Sequence, residues 1–237
     1  MFINIFSLEA VLMNNLKMYK NIHKGKDIYI IAAGKSLDFI ENSFFKNKIT
    51  IGINQVYKKF EPTYLIRKEA HLIKETLNSI SKKCILFISR GHCGGNNNIN
   101  LKIIQKLKLE NKIIIFNHNL NIETITKLPP EDEIIVSWST ITSGIHLAAY
   151  MGAKNIILVG HDCGTLDNEC NFNGYHTDKT YRIAWKNGGK NAYKKWLPKI
   201  EEQTICLKSL LCDKYNCNIY SLNPFINLGL EGHKFNK

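Results

Sequence analysis

Short apolar runs alternate with longer, polar-punctuated segments along almost the whole 237-residue chain. Residues 28–32, 49–53, 84–88, 112–116, 133–136 and 155–159 form runs of four or five, rich in Ile and Val, that predict buried strands. Between them, apolar positions at helical spacing predict helices over 36–45, 68–80, 101–107, 139–151 and 191–215, and a last strand follows at 218–221. Strands alternating singly with helices predict an α/β fold with a mainly parallel sheet flanked by helices. Two stretches fit neither period. Residues 89–98 (SRGHCGGNNN) are too rich in Gly and Asn for helix or strand. Residues 160–180 are densely polar and read as a loop or lid over the strand ends. No repeat or Pro/Gly/Ser-rich linker divides the chain, which predicts one domain over 26–237 behind an N-terminal extension, 1–25.

With 44% hydrophobic and 10% aromatic residues, the chain has enough apolar material for a core, which excludes wholesale disorder. No run approaches the ~20 apolar residues of a bilayer-spanning helix. The first twenty residues are mildly apolar, but Glu9 interrupts them and neither a basic start nor a small-residue cleavage site is present, so they do not read as a signal peptide. Seven cysteines, an odd number without regular spacing, suit reduced thiols in a cytoplasmic protein. Lys and Arg outnumber Asp and Glu by 32 to 20, a net +12 that calls for anionic company unless it only solvates the surface. Nucleotide phosphate, nucleic acid and an anionic membrane face all qualify. Without a recognised nucleic-acid motif or aromatics interleaved with the basic residues, no nucleic-acid partner is expected. Peripheral contact with the inner face of an anionic membrane and homo-oligomerisation stay among the expectations.

Candidate chemistry gathers at predicted strand ends, where ligands of parallel sheets bind. In IYIIAAGKSLDFI a strand runs into Gly34 and a helix is expected from Ser36, so that Gly34, Lys35 and Ser36 would offer backbone amides and a capping hydroxyl to an anion. The glycines of a Walker loop or a dinucleotide fingerprint are missing. Asn54 follows the second strand and carries both a donor and an acceptor for a base or sugar. The block STITSGIHLAAYMGAKNIILVGHDCG places Thr142, Ser143 and Gly144 near a helix start and Asp162 just past a buried strand. His146 reads as a packed helix histidine. In CNFNGYHTDKTYR, His176 is the natural proton acceptor, with Tyr175, Lys179, Tyr181 and Arg182 placed to meet phosphate oxygens. His161, Cys163, Cys170 and His176 match no standard zinc spacing, so no metal site is expected. The tail, 221–235, carries aromatic and aliphatic residues and is expected to pack back onto the body.

The order of these motifs resembles one superfamily. The series is Ala33-Gly34-Lys35-Ser36-Leu37, then Asn54-Gln55, then Thr142-Ser143-Gly144-Ile145, then 152–158 (GAKNIIL) with Gly160 and Asp162. It is similar to the bacterial CMP-sialic-acid-dependent sialyltransferases, the Maf flagellin glycosyltransferases and the archaeal MptE-type hydroxymethylpterin diphosphokinases, over about residues 26–235. The resemblance implies a Rossmann-like nucleotide-binding transferase domain. Gly34, Lys35, Ser36, Asn54, Thr142, Ser143, Gly144 and Asp162 then become the nucleotide pocket. His176 becomes the general base, with Asp162, Tyr175 and Tyr181 as further catalytic candidates, the tyrosines standing in for those that hold the departing phosphate. The implied partners are a nucleotide-sugar donor and a glycan or protein acceptor, such as a bacterial cell-surface glycan, with no cofactor. Two departures bear on this. Ala33 stands where sialyltransferases usually carry an amide, in a Gly-Asn-Gly-Pro-Ser-Leu type sequence. The acidic cluster that a diphosphokinase needs for Mg²⁺ is replaced by Tyr64-Leu65-Ile66-Arg67-Lys68-Glu69. A CMP-sugar transferase is therefore expected ahead of an ATP- and Mg²⁺-dependent diphosphokinase or a non-catalytic nucleotide- or nucleic-acid-binding module.

Overall fold

A computed structural model describes residues 16–67, 73–89, 113–119, 125, 127–131, 133–137, 139–166, 168–176 and 190–222. Eight strands form one sheet: β1 Asp27–Ile31, β2 Ile49–Ile53, β3 Tyr64–Arg67, β4 Ile85–Ser89, β5 Ile113–Asn119, β6 Glu133–Ile135, β7 Asn155–Val159 and β8 Asn218–Ser221. Their order is β6-β5-β4-β3-β2-β1-β7-β8, and every neighbouring pair is parallel. The fold is therefore α/β and Rossmann-like, as the alternation predicts. Strand order reverses between β1 and β7, which makes that junction the switch point where the loops part to opposite faces.

Both faces of the sheet are covered, so its strands alternate between two apolar layers rather than between core and water. Ile28, Ile30, Ile51, Ile53, Ile66, Ile156 and Leu158 pack with helix α2, Thr140–Tyr150, and with Leu207 and Leu211 of helix α3, Lys190–Tyr215. Ile31, Leu65, Leu86, Ile88, Ile157 and Val159 face the other way, against Leu37, Val56, Phe60 and Leu77 of helix α1, Ile73–Ser79. Every residue of α2 is buried. Two of its polar side chains bond internally: Ser143 Oγ donates to the Ile135 carbonyl at 2.7 Å, and Thr142 Oγ1 donates to the Ser139 carbonyl at 2.8 Å.

The continuous helix expected over 36–45 is instead two 3₁₀ turns, Lys35–Phe39 and Asn42–Phe45. β3 has no counterpart among the predicted runs. Residues 16–25, assigned from sequence to an extension, belong to the body. Leu16 is buried, the amides of Asn21, His23 and Gly25 donate to the carbonyls of Tyr150, Met151 and Gly152, and Tyr19 stacks edge-on to Phe87. The predicted helix at 101–107, the loop at 90–98 and the tail from 223 onwards lie outside the described residues. Among the described residues no cysteine is in a disulfide, and no helix is long and apolar enough to cross a membrane.

Candidate ligand site at the switch point

At the C-terminal ends of β1, β2 and β7 lies a cavity of about 280 Å³. Ala33 and Gly34 follow β1, Asn54 follows β2, and Gly160 to Gly164 follow β7. Ser139, Thr140 and Ile141 at the start of α2, Leu197 and Ile200 of α3, and Asn171, Tyr175 and His176 complete its lining. A larger depression of about 670 Å³, lined by Lys46, Pro62 and Ser81 among others, lies at the opposite ends of the strands, and no described candidate residue touches it.

The β1 turn is built against the β7 turn. Gly34 has φ −66° and ψ 160°, a conformation open to any residue, so the turn itself does not require glycine. The requirement is proximity: a Cβ on Gly34 would overlap the Gly160 carbonyl oxygen and the Asp162 carboxyl group. The Gly34 amide donates to that carbonyl at 2.7 Å. Gly160 itself has φ +70°, in the left-handed region that favours glycine.

Asp162 occupies the place that an anion was expected to take. The Ser36 amide donates to its Oδ2 at 2.8 Å, the Ser36 hydroxyl to its Oδ1 at 2.5 Å, and the Lys35 amide also reaches it. The expected N-cap role of Ser36 is thus corrected, since its hydroxyl serves the carboxylate of a distant strand end. The Lys35 side chain turns away too, to Asp38 Oδ2 at 2.8 Å and Asn173 Oδ1 at 2.9 Å. Burial pushes the Asp162 carboxyl up to about 6, against the hydrogen bonds from Ser36 and Lys35.

The start of α2 also differs in detail. Ser143 and Thr142 spend their hydroxyls inside the core, and a Cβ on Gly144 would meet Ile53 Cδ1 at 2.6 Å, so Gly144 lets the helix lie close on the sheet. The residues that reach the cavity are the preceding turn, Ser139 to Ile141. His146 is a core residue: Nδ1 accepts from the Ile135 amide at 3.1 Å and Nε2–H faces Tyr215 Oη at 3.3 Å, with burial pushing its imidazole down to about 3.

His176 does stand in the cavity, on a turn tied to β1. Asn171 pairs with Gly34 as an antiparallel bridge, and the Phe172 amide donates to the Ala33 carbonyl. The Asn173 amide donates to Asp38, which also receives Lys35 and Lys59. Burial alone would raise the Asp38 carboxyl, but the hydrogen bonds from Lys35, Lys59 and Asn173 outweigh it and hold it below the ordinary value. Asn171, which no sequence motif marks, is the telling residue. Its Nδ2 donates to the Ala33 carbonyl at 3.1 Å, so its Oδ1 is the atom facing His176 Nε2 at 3.2 Å. His176 therefore carries its proton on Nε2 and its basic lone pair on Nδ1. Burial, then the Lys58 charge, bring its pKa down to about 4 against a smaller opposing pull from Glu169, so the ring is neutral at pH 7. The Tyr175 ring meets the His176 ring edge-on with centroids 4.7 Å apart. Tyr181, Lys179 and Arg182 lie outside the described residues.

His161 and Cys163 line the same cavity, with Cys163 Sγ 3.6 Å from His161 Nε2. Thr204 Oγ1 donates to the Ile200 carbonyl, so it accepts from His161 Nε2–H at 2.9 Å, and burial pushes that imidazole down to about 3. No three His, Cys, Asp or Glu side chains among the described residues are grouped to hold a metal. Asp162, the carboxylate in the cavity, has its oxygens committed to amides and a hydroxyl, so the described residues do not fit a Mg²⁺ site.

Fold and site together define a parallel α/β protein with a ligand cavity at its switch point and a neutral, oriented histidine in that cavity. No protein-family model matches the chain, and no curated protein sequence matches it. Among solved structures the chain is similar to the sialyltransferase CST-II in complex with a trisaccharide acceptor and CMP, at 15% identity and a TM-score of 0.47, covering 90% of this chain and 89% of that one. It is also similar to CstII from Campylobacter jejuni in complex with a substrate analogue, cytidine-5'-monophosphate, at 16% identity and TM-score 0.47, covering 90% and 88%.

Proposed function

We propose that this protein is a metal-independent glycosyltransferase that moves an acidic sugar from a CMP-linked donor to a hydroxyl of a glycan or protein acceptor. The observation that carries the reading is His176, neutral and oriented by Asn171, in the cavity formed by the ends of β1, β2 and β7. The motif order from Gly34 to Asp162 supports the reaction class.

The chemistry is a direct displacement. His176 Nδ1, which is buried in this structure, takes the proton of the acceptor hydroxyl as its oxygen attacks the anomeric carbon, and the bond from that carbon to the phosphate oxygen breaks, releasing CMP. The donor phosphate is the charge that brings the base into range: an anion beside the ring raises its pKa from about 4 toward the working pH. Ser139, whose Oγ accepts from the Ile141 amide as the cap of α2, lines the cavity and is the group we assign to the negative charge that would develop on the departing phosphate. Asp162 acts through the turn it holds, by fixing Lys35 and Ser36 beside the cavity.

The test is turnover of CMP-linked sugars in EDTA. The wild type should transfer or hydrolyse the sugar, and His176→Ala should lose roughly 10²–10⁴-fold in turnover while still binding CMP. Equal turnover by the variant removes His176 from the mechanism. Activity that appears only with ATP and Mg²⁺ replaces the glycosyltransfer reading altogether.

A further inference from the structure

At the end of the sheet opposite the cavity lies a surface that the transferase reading does not use. Residues 16–26 (LKMYKNIHKGK) run into β1 there and are tied to the body on one side. Leu16 is buried, Tyr19 meets the Phe87 ring edge-on, and the amides of Asn21, His23 and Gly25 donate to the carbonyls of Tyr150, Met151 and Gly152. The other side faces water. Met18 is 72% and Ile22 51% exposed, and the four lysines of the segment, Lys17, Lys20, Lys24 and Lys26, are exposed too. No Asp or Glu falls within these residues. Lys20, whose Nζ donates to Glu131 Oε2 at 2.6 Å, holds that exposed carboxyl below its ordinary value, with help from the charges of Lys214 and Lys17. Asp27, the next acid along the chain, accepts from Asn155 Nδ2 at 2.7 Å.

We propose that this surface docks on an anionic phospholipid bilayer, Met18 and Ile22 entering the boundary between headgroups and acyl chains while the lysines meet lipid phosphates. Single exposed apolar side chains are ordinary, but here two project from one segment whose lysines have no acid among them. A bilayer face supplies both partners at once, negative charge for the lysines and an apolar layer for Met18 and Ile22, and either signal alone holds only weakly. A nucleic acid would satisfy the lysines and leave Met18 and Ile22 in water. The hydrogen bonds to the end of α2 fix the backbone of the segment before it meets a membrane, so docking loses little ordering entropy. Position fits as well. The cavity lies at the other end of five-residue strands, about 16 Å away by strand rise, so a docked protein keeps it clear of the lipid. Part of the +12 excess thereby gains a partner that the cavity does not supply. The proposal stands independently of the transferase reading.

The experiment is flotation of the full chain with vesicles of phosphatidylcholine and of an equal mixture of phosphatidylcholine and phosphatidylglycerol, at low and at high salt. Wild type should float with the mixed vesicles, stay behind with phosphatidylcholine alone, and be released by high salt. Two variants divide the signals. Met18→Ser with Ile22→Ser keeps every lysine and should bind the mixed vesicles roughly tenfold more weakly. Lys17→Gln with Lys24→Gln and Lys26→Gln keeps the apolar pair and the Lys20–Glu131 contact, and should bind roughly a hundredfold more weakly, at about fivefold per lysine. A control with Lys194→Gln, Lys195→Gln and Lys199→Gln on α3 removes the same charge elsewhere and should bind as wild type does. The proposal is overturned if wild type ignores the mixed vesicles, if the Met18 and Ile22 variant floats like wild type, or if the α3 control loses as much as the Lys17 variant, which makes the attraction diffuse. A lowered melting temperature in the Met18 and Ile22 variant also overturns it, because those side chains then serve the fold. Tight binding to mixed-sequence RNA that this variant retains assigns the surface to nucleic acid instead. CMP keeps the two ideas apart: its failure to bind wild type strikes the transferase reading and leaves docking untouched.

Discussion

Lowering the pH from 7 to 5 should remove about 4 kcal/mol of stability through His146 and His161, beside a gain from Asp162 and a loss from His176 that oppose one another. His146 and His161 are buried, each holds Nε2–H toward a hydroxyl, and burial lowers each imidazole from 6.5 to about 3. A histidine whose folded pKa is depressed contributes stability that is complete above the unfolded value and is lost as pH falls below it. At pH 5 an unfolded imidazole lies about 1.5 units inside its protonated range, worth about 2 kcal/mol at about 1.36 kcal/mol per unit, while the native ring takes up almost no proton. Two such rings give about 4 kcal/mol, a large share of the roughly 5–15 kcal/mol that domains possess. Urea unfolding followed by circular dichroism at both pH values measures the loss. His161→Gln keeps a donor for Thr204 and cannot titrate, and His146→Asn keeps an acceptor for the Ile135 amide. Each should shrink the pH-dependent loss by about 2 kcal/mol, whatever it does to stability at pH 7. Equal stability of wild type at pH 5 and 7, or variants with an unchanged pH dependence, would refute the assignment of these rings as buried and neutral.

Three further outcomes follow from the site. Gly34→Ala, whose backbone angles suit alanine, should still cost about 1–3 kcal/mol and loosen the Asp162 clamp, because the new methyl meets the Gly160 carbonyl; an unchanged melting curve would contradict that packing. Asn171→Asp places a carboxylate on His176 and should move the acid limb of the donor-turnover profile up by about 1–3 units, a shift that mere destabilisation would not produce. Asp162→Asn should remove a loss of roughly 3 kcal/mol that wild type suffers as pH rises from about 4 to 6. A carboxyl whose folded pKa is raised stabilises only while it is protonated. Stability of both proteins measured across that range decides it.

The sheet was legible because its strands are buried on both faces and therefore read as unbroken Ile-rich runs. β3 escaped because Tyr64–Arg67 is short and ends on a charged residue, so nothing in its own composition marks it as interior. The addresses of the site, the ends of β1, β2 and β7, followed from chain order alone, and Gly34, Asn54, Asp162, Tyr175 and His176 do converge there. What sequence could not supply was direction. Ser36 and Lys35 turn to Asp162 and Asp38, partners 126 and 3 residues away respectively. Ser143 and Gly144 lie on the sheet-facing side of a helix buried all round, where no polar face distinguishes site from core. Asn171, five residues before His176, belonged to a turn whose hydrogen bonds depend on β1, so its role emerged only from the fold. The net charge of +12 also stays outside the cavity as described, since no Lys or Arg among the described residues lines it.

A pyrimidine nucleotide held without a metal in the switch-point cavity is what the proposed reaction requires. Thermal unfolding with CMP, UDP, GDP and ATP, each with Mg²⁺ and with EDTA, tests it most directly. CMP in EDTA, at about 100 times its dissociation constant, should stabilise the protein by about 2.7 kcal/mol, and Mg²⁺ should add nothing. No response to CMP, or a response to ATP that requires Mg²⁺, would contradict it.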